Sequence, residues 1–299
     1  MTESLDSRSW LFAPGDSERK MEKATAGTAG VVLFDLEDAV AEGEKAAARA
    51  RTSAFLAAQP SDRARLWVRI NPLQGPHALA DLAAVVPSHP GGIMLPKSCG
   101  RADVERLDHY LSALEVAAGI ERGTTAVIAL VTETATSMFT TGTYAGAPRL
   151  AALTWGAEDL ADAVGAVDNR NADGSYAFTY EMARSFCLLG AASAGVAAVE
   201  TIHGDFRDEA GLRRRAQQAR RCGFCGMLAI HPAQVDVINE AFTPSAEEVR
   251  TAQEIVDLFG ASPAAGVVAH KGVMLDRPHL ARAQAVLRLA ARTSVKKGS

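Results

Sequence analysis

The feature of this sequence that most constrains its fold is a series of eight short apolar segments, separated by helical stretches and mostly followed by polar residues. The segments are Ser9–Ala13, Gly30–Phe34, Leu66–Asn71, Gly92–Leu95, Val127–Val131, Leu150–Thr154, Gly195–Val199 and Met227–Ile230. Continuous apolar runs of this length are typical of strands buried on both faces of a parallel sheet. Eight such strands alternating with helices over about 240 residues predict a (β/α)₈ TIM barrel.

The region after the eighth segment has a different pattern. A helix is predicted over Ser245–Phe259, a small-residue linker over Gly260–Gly266, and an amphipathic helix over Pro278–Arg292. We therefore predict a barrel domain at residues 1–243 and a C-terminal helical appendage at 244–299. An open doubly wound sheet is the alternative fold, but no G-x-G-x-x-G sequence follows the first segment.

Composition excludes several functional classes. With 48% hydrophobic and 22% charged residues, the 299-residue chain is typical of a globular protein with a sizeable core. A net charge of -4 provides no electrostatic footprint for nucleic acid. The longest apolar run, Leu188–Val199, is too short and too rich in small residues to span a membrane. Because Met1–Ser7 lacks a secretory pattern, we expect a cytoplasmic protein.

Two carboxylates follow neighbouring strand segments. Glu133 comes after the fifth segment and Asp159 after the sixth. If these strands are parallel neighbours, both carboxylates lie at the same rim of the sheet. Two close carboxylates repel each other unless a cation lies between them, and Mg²⁺ is commonly held by one or two carboxylates, substrate oxygens and water. The alternative is a pair of exposed acids with no shared ligand.

The ends of the second and third strands carry opposite charges. Asp35, Glu37 and Asp38 follow the second strand, and Arg69 ends the third. The acids must be paired or coordinate a cation if they are buried, because an isolated buried charge is costly; otherwise they form a solvated loop. The guanidinium of Arg69 could grip a substrate carboxylate in bidentate fashion. It could equally form a structural salt bridge to these acids, and both roles are compatible if Glu37 orients Arg69.

Three further residues have two interpretations each. Lys97 ends the fourth strand, where it could be a Schiff-base nucleophile or pair with a phosphate or a carboxylate. His231 follows the eighth strand and could be a base or a structural histidine. Asp276, just before Pro278 in the appendage, is typical of a helix N-cap. These residues alone do not decide between the interpretations.

Seven motifs, in order along nearly the whole chain, carry a family resemblance. They are Arg8–Gly15 (RSWLFAPG), Asp35–Val40 (DLEDAV), Arg69–Asn71 (RIN), Leu95–Lys97 (LPK), Glu133-Thr134, Gly156–Leu160 (GAEDL) and Ala229–Pro232 (AIHP). With these motifs the chain resembles the citrate lyase beta subunit-like family, the CoA ester lyase branch of the HpcH/HpaI aldolase superfamily. The resemblance extends from about residue 8 to residue 292. At Met227 many members have lysine, a departure at the non-catalytic end of the strand.

The resemblance implies a TIM barrel, a Mg²⁺ cofactor and a homo-oligomer, a trimer or a hexamer. By position, Glu133 and Asp159 would hold Mg²⁺, and Arg69 would grip the carboxylate of the oxo acid. Glu37 would assist at the substrate end, and Gly156, Ala157 and Glu158 would contact the substrate. Each of these roles is an expectation from the family pattern.

Two further expectations concern the ends of the chain. In the malyl-CoA and citramalyl-CoA lyases of this family, an aspartate from a C-terminal appendage reaches the active site of a neighbouring subunit. Met274–Pro278 resembles that segment, so Asp276 becomes a catalytic candidate as well as a helix cap. CoA needs basic contacts for its phosphates, and Arg19 and Lys20 in the first helix are candidates.

The candidate residues and the family resemblance together predict a Mg²⁺-dependent lyase. It would split a β-hydroxyacyl-CoA, such as malyl-CoA or citramalyl-CoA, into acetyl-CoA and a 2-oxo acid, or catalyse the reverse reaction. One alternative is a class II aldolase that acts on free hydroxy-oxo acids. Another is a non-catalytic subunit that binds an acyl-CoA or an acyl carrier. Thioester hydrolysis after condensation also stays open, as does the choice among glyoxylate, pyruvate and oxaloacetate.

Overall fold

A closed barrel of eight parallel strands, paired in sequential order, forms the main part of the molecule and confirms the predicted TIM barrel. The computed structural model describes residues 8–262 and 265–295, with side chains through residue 291. Two parts of the chain that the sequence predictions concern lie outside the described residues. They are Met1–Ser7, which lacks a secretory pattern, and Pro263 and Ala264 of the predicted linker. The strands are β1 (Ser9–Pro14), β2 (Val31–Asp35), β3 (Leu66–Arg69), β4 (Gly92–Leu95), β5 (Ala126–Leu130), β6 (Leu150–Thr154), β7 (Ala197–Glu200) and β8 (Gly226–Ala229).

Helices connect the strands and continue after the barrel. They are α1 (Glu18–Thr25), α2 (Lys45–Ala57), α3 (Ala78–Val85), α4 (Arg101–Ala117), α5 (Ala135–Met138), α6 (Glu158–Ala163), α7 (Phe178–Ala194), α8 (Glu209–Cys222), α9 (Ala233–Ala241), α10 (Ala246–Ala261) and α11 (Arg277–Val295). No helix within the described residues is both long enough and apolar enough to cross a membrane.

Two local details differ from the simple alternation of strands and helices. The segment between β5 and β6 has room for one crossover helix, but it contains only the single turn α5 and a 3₁₀ turn at Thr141–Thr143. The seventh strand does not begin at Gly195, because α7 extends to Ala194 and Gly195 ends it with a left-handed φ of 68°. Glycine adopts this conformation without strain, and it is the usual residue after the last turn of a helix.

Inward-facing side chains fill the barrel. Trp10 and Trp67 meet edge to face with their ring centroids 5.1 Å apart. Gly92 leaves room for this pair, because a Cβ at that position would lie 2.4 Å from the Trp67 ring. Leu33 and Ile128 belong to the same buried cluster. The barrel therefore has a packed interior and is not a pore, so a ligand that enters the barrel binds at an end of the strands.

Strand alternation determines which side chains reach the C-terminal end. Side chains two residues apart in a strand point to the same side. The residues two positions after Trp10, Leu33, Trp67 and Ile128 are Phe12, Asp35, Arg69 and Leu130, and these four line the cavity described below. The core pattern therefore places Asp35 and Arg69 inside the barrel mouth.

At the opposite end, a buried ion pair joins α4 to the start of β6. Glu115 is fully buried and accepts hydrogen bonds from Arg149 at 2.7 and 2.8 Å. It also accepts the backbone N–H groups of Gly123 at 2.8 Å and Thr125 at 2.9 Å. Burial opposes ionisation, but these hydrogen bonds lower the pKa of Glu115 to about 2 from its ordinary 4.5.

We expect this pair to make the barrel sensitive to acid. Because the pKa of Glu115 is lower in the folded chain than in the unfolded chain, its contribution is complete above pH 4.5 and declines as the pH falls toward about 2. Glu115→Gln should therefore lose stability near neutral pH and show a weaker pH dependence in that window. Urea unfolding followed by fluorescence of the three tryptophans, all within the barrel, measures this. Glu121→Gln, an exposed change in the following loop, is the control, and equal pH slopes for the two variants would contradict the prediction.

The chain divides into two compact units, Met1–Asn239 and Glu240–Ser299. Within the second unit α10 packs against α11, and strands β9 (Val267–His270) and β10 (Val273–Asp276) form an antiparallel hairpin. Its two-residue turn, Lys271-Gly272, has φ values of 50° and 80°, as tight hairpins require. This hairpin was not predicted from the sequence pattern.

Candidate active site

A cavity of about 400 Å³ opens at the C-terminal ends of the barrel strands. Its lining comprises Phe12, Pro14, Asp35, Asp38, Ala39, Arg69, Leu130, Glu133, Trp155, Gly156, Ala157, Glu158, Asp159, Thr201, Ile202, Leu228 and Ile230. Among these described residues five are acidic and one, Arg69, is basic. Apolar residues make up much of the lining, and acidic groups outnumber basic ones.

Arg69 is held by the acids at the end of β2. Its Nε and Nη2 atoms donate to the two carboxylate oxygens of Asp35 at 2.7 and 2.6 Å. Its Nη1 atom lies 2.9 Å from Glu37 Oε2 and 3.2 Å from Asp38 Oδ2. The guanidinium also lies over the Phe12 ring, 4.9 Å from the centroid. The salt bridge allowed by the sequence is therefore present, and it fixes the guanidinium at the cavity wall.

The acidic turn after β2 is itself fixed by Lys45 and Asn71, to which the sequence pattern gave no individual role. Lys45 Nζ donates to the carbonyl oxygens of Leu36 at 3.0 Å and Glu37 at 2.6 Å. Asn71 Nδ2 donates to the Leu36 carbonyl at 2.9 Å. Asn71 follows a strand, but nothing in the local pattern around Lys45 indicated its burial. These contacts preorganise the turn that carries Glu37.

Glu133 is buried where β5 ends. One oxygen, Oε2, accepts the backbone N–H of Lys97 at 2.7 Å. Gly156 packs against the other side, and a Cβ at Gly156 would lie 3.4 Å from Glu133 Oε1. Burial, reinforced by nearby Glu37 and Asp159, raises the pKa of Glu133 to about 8. Burial likewise raises the pKa of Glu37 to about 7, although Arg69 opposes the shift. Both carboxylates would be stabilised by additional positive charge.

Asp159 lies in the first turn of α6, with its side chain 31% exposed. Its Oδ2 atom is 2.9 Å from Lys97 Nζ, and that ammonium is 3.9 Å from Glu37 Oε1. Partial burial opposes the charge, but Asp159, Glu37 and Glu133 raise the pKa of Lys97. A Schiff-base nucleophile must be a neutral amine. The surroundings of Lys97 therefore favour the carboxylate-pairing interpretation.

The loop between β6 and α6 is held from behind by buried charges. Trp155 Nε1 donates to Glu200 Oε1 at 2.6 Å, and Arg184 Nε donates to Glu200 Oε2 at 2.6 Å. Glu158 faces the cavity and accepts a hydrogen bond from Asn169 Nδ2 at 2.9 Å. The predicted substrate-contacting residues Gly156, Ala157 and Glu158 thus form a supported wall of the cavity.

The carboxylates suit a divalent cation that shares its ligands with a substrate. Mg²⁺ usually keeps several waters and is held by one or two carboxylates and substrate oxygens, without an all-protein cage. Glu133 and Asp159 provide two such carboxylates. No group of three or more His, Cys, Asp or Glu residues in metal-binding geometry is present within the described ranges. The site therefore fits a Mg²⁺ ion whose remaining ligands are substrate oxygens and water.

The remaining candidates have the following surroundings. Arg19 and Lys20 are exposed in the first turn of α1 and do not line the cavity. His231 stacks on Phe206 with the ring centroids 4.8 Å apart. Asp276 belongs to the second unit and immediately precedes α11, with its Oδ1 atom 2.5 Å from His279 Nδ1. It therefore occupies the helix-cap position that the sequence indicated.

A family model matches most of the barrel. Residues 8–232 match the model described as HpcH/HpaI aldolase/citrate lyase. Residues 175–295 match a second model, described as C-C_Bond_Lyase of the TIM-Barrel fold. The two matches together extend over both compact units.

Individual proteins resemble the chain over nearly its full length. A citrate lyase subunit beta-like protein of Mycobacterium tuberculosis is 36% identical over 281 residues, 94% of either chain. A (3S)-malyl-CoA thioesterase of Cereibacter sphaeroides is 31% identical over 282 residues, 94% of this chain and 93% of the relative. The crystal structure of protein CitE from M. tuberculosis, in complex with magnesium, acetoacetate and coenzyme A, superposes with a TM-score of 0.80 and 34% identity, covering 96% of this chain and 99% of that one.

Proposed function

Because the chain belongs to the HpcH/HpaI aldolase/citrate lyase family, we propose that it is a Mg²⁺-dependent CoA ester lyase. The reaction is the cleavage of a β-hydroxyacyl-CoA, such as malyl-CoA or citramalyl-CoA, to acetyl-CoA and a 2-oxo acid, or its reverse. The observation that carries the proposal is the cavity, which is lined together by Glu133, Asp159 and the fixed guanidinium of Arg69. The similar M. tuberculosis protein binds magnesium, acetoacetate and coenzyme A, which supports the choice of ligands.

Glu133 and Asp159 would hold Mg²⁺, which supplies Lewis-acid stabilisation of negative charge and orients the substrate. Arg69 would bind the carboxylate of the oxo acid. Two of its three acidic partners, Asp35 and Glu37, are buried, whereas the side chain of Asp38 is 57% exposed. A substrate carboxylate can therefore take the place of Asp38 while Asp35 keeps the guanidinium in position.

Cleavage requires two proton transfers. The substrate hydroxyl loses its proton as the carbon–carbon bond breaks, and the bonding electron pair passes to the thioester enolate. Glu37, whose pKa is raised to about 7 by burial, is suited to assist at the hydroxyl end, because a base works best with a pKa near the working pH. Asp276 of a neighbouring subunit would protonate the enolate carbon, or remove that proton during condensation.

The role of Asp276 in a neighbouring site requires a homo-oligomer, and we propose a trimer or a hexamer. Arg19 and Lys20 would contact the CoA phosphates.

A second candidate reaction is thioester hydrolysis. Its support is the 31% identity to the (3S)-malyl-CoA thioesterase of C. sphaeroides over 94% of this chain. Hydrolysis of a malyl-CoA type ester would give the free hydroxy acid and CoA. It could use the same cavity, with water attacking the thioester carbonyl.

The test is incubation with acetyl-CoA, Mg²⁺ and, in separate reactions, glyoxylate, pyruvate or oxaloacetate. Mass spectrometry should show a new CoA ester with one oxo acid, and EDTA should abolish it. Free CoA together with a hydroxy acid would instead establish the thioesterase reaction. If a correctly folded, Mg²⁺-bound oligomer were inactive on all three acids but cleaved free hydroxy-oxo acids, the chain would be a CoA-independent aldolase.

A further inference from the structure

Lys97 contacts the carboxylate cluster through both its backbone and its side chain. Its backbone N–H donates to Glu133 Oε2 at 2.7 Å. Its ammonium lies 2.9 Å from Asp159 Oδ2 and 3.9 Å from Glu37 Oε1. One residue therefore contacts both proposed metal ligands and the neighbouring acid.

The backbone conformation of Lys97 makes this double contact feasible. Its φ of 50° lies in the left-handed region, which residues with a Cβ rarely adopt. Such conformations persist where the surrounding structure holds them, and they concentrate at functional sites. Here the turn directs the peptide N–H toward Glu133 while the side chain reaches Asp159.

The two contacts of Lys97 differ in how readily they can be broken. Glu133 is buried, and its hydrogen bond from the Lys97 N–H joins it to the turn that follows β4. The Lys97 side chain is 36% exposed, and that of Asp159 is 31% exposed. The ammonium can therefore move into water on its flexible stem while the N–H continues to orient Glu133.

From this geometry, and resting on the proposed Mg²⁺ site, we propose that Lys97 is a resident counter-cation that competes with Mg²⁺ for Asp159 and thereby sets the metal affinity of the site. The ammonium balances the carboxylates when no metal is bound. A Mg²⁺ ion that takes Asp159 Oδ2 as a ligand must displace it, because two cations cannot share that oxygen at contact distance without strong repulsion. Removal of the ammonium should therefore strengthen Mg²⁺ binding and lower the thermal stability of the metal-free protein.

The test compares Lys97→Met with the wild type and with Lys23→Met, an exposed lysine change in α1. Titration calorimetry with MgCl₂ should give a dissociation constant about tenfold lower for Lys97→Met, within the usual range of coupling between two ligands. Thermal unfolding in EDTA should show a lower Tm for Lys97→Met, and saturating Mg²⁺ should raise its Tm more than that of the wild type. Lys23→Met should match the wild type in both measurements.

Other results would overturn the inference. Unchanged or weaker Mg²⁺ binding by Lys97→Met, with normal binding by the wild type, refutes the competition and leaves the proposed function intact. If Glu133→Gln binds Mg²⁺ as the wild type does, or if neither the wild type nor Lys97→Met binds it, the proposed metal site is wrong as well. Should Lys97→Met fail to fold, Lys97→Gln keeps a polar side chain without the charge, and the same titration decides the question.

Discussion

Co-expression of an Asp276→Asn chain with a Glu133→Gln chain should restore turnover that neither variant has alone. Asp276→Asn by itself should lose about 10²- to 10⁴-fold in turnover, the usual cost of removing an acid–base group. Asparagine is as good a helix cap as aspartate, so the start of α11 should be preserved. The hydrogen bond from His279 lowers the pKa of Asp276, which suits the wild-type carboxylate to proton removal in the condensation direction.

Complementation distinguishes a residue acting in a neighbouring site from one acting in its own chain. In a randomly mixed oligomer, about a quarter of the sites would combine an intact Glu133 with an intact Asp276 from another subunit, through a repeated heterologous interface. Size-exclusion chromatography should show the same assembly for all variants, and Asp257→Asn, an exposed change in α10, should keep full activity.

Two other results would exclude this role for Asp276. Full activity of Asp276→Asn would leave only the helix-cap role. Loss of activity without complementation would mean that Asp276 acts within its own chain. Differential tagging of the two variants allows mixed oligomers to be purified before the assay, so that poor mixing cannot imitate a negative result.

Glu133→Gln should abolish Mg²⁺ binding and reduce turnover about 10³-fold or more. Loss of the metal removes several kcal/mol of transition-state stabilisation, and about 1.36 kcal/mol corresponds to each tenfold change in rate. Titration calorimetry and the CoA ester assay provide the two measurements. Asp159→Asn should behave similarly, whereas Asp162→Asn, an exposed change in the same helix, should have no effect.

Although Glu133→Gln should lose Mg²⁺ binding and turnover, it should not lose stability in the absence of metal. Because burial disfavours the charged form of Glu133 and raises its pKa to about 8, a neutral glutamine can replace it without the desolvation cost of a carboxylate. Its amide oxygen can still accept the Lys97 N–H. Thermal unfolding in EDTA should therefore give a Tm at or above that of the wild type. A variant that retains Mg²⁺ binding, or that loses activity only because it unfolds, would contradict the proposed role.

Much of the site follows from strand periodicity. Trp67 and Arg69 are two residues apart, so a core position in β3 predicts an inward-facing guanidinium at its end. The same rule places Asp35 after Leu33, and the register of β2 and β3 pairs Asp35 with Arg69. Glu133 and Asp159 lie after neighbouring parallel strands and line the same cavity. Their role as metal ligands stays a prediction.

The residues missed by the sequence analysis act over longer distances or through unusual backbone angles. Lys45 belongs to α2, and its contact with the turn after β2 depends on how that helix packs. The hairpin at Lys271-Gly272 depends on two consecutive left-handed residues. Periodicity reports which face a side chain occupies, but it carries no information about such angles or packing.

The alternation of strands and helices, the closed barrel and the set of charged residues at its C-terminal end can all be predicted from the amino-acid sequence. These features depend on local apolar patterns, which are repeated and therefore redundant. The partner of each carboxylate depends on the tertiary structure: Arg69 pairs with Asp35, the ammonium of Lys97 pairs with Asp159, and the backbone N–H of Lys97 donates to Glu133. Barrel closure brings together chain segments that are far apart in sequence. The left-handed backbone of Lys97 then allows this one residue to contact both Glu133 and Asp159. The charge balance of the site is therefore a property of the assembled barrel.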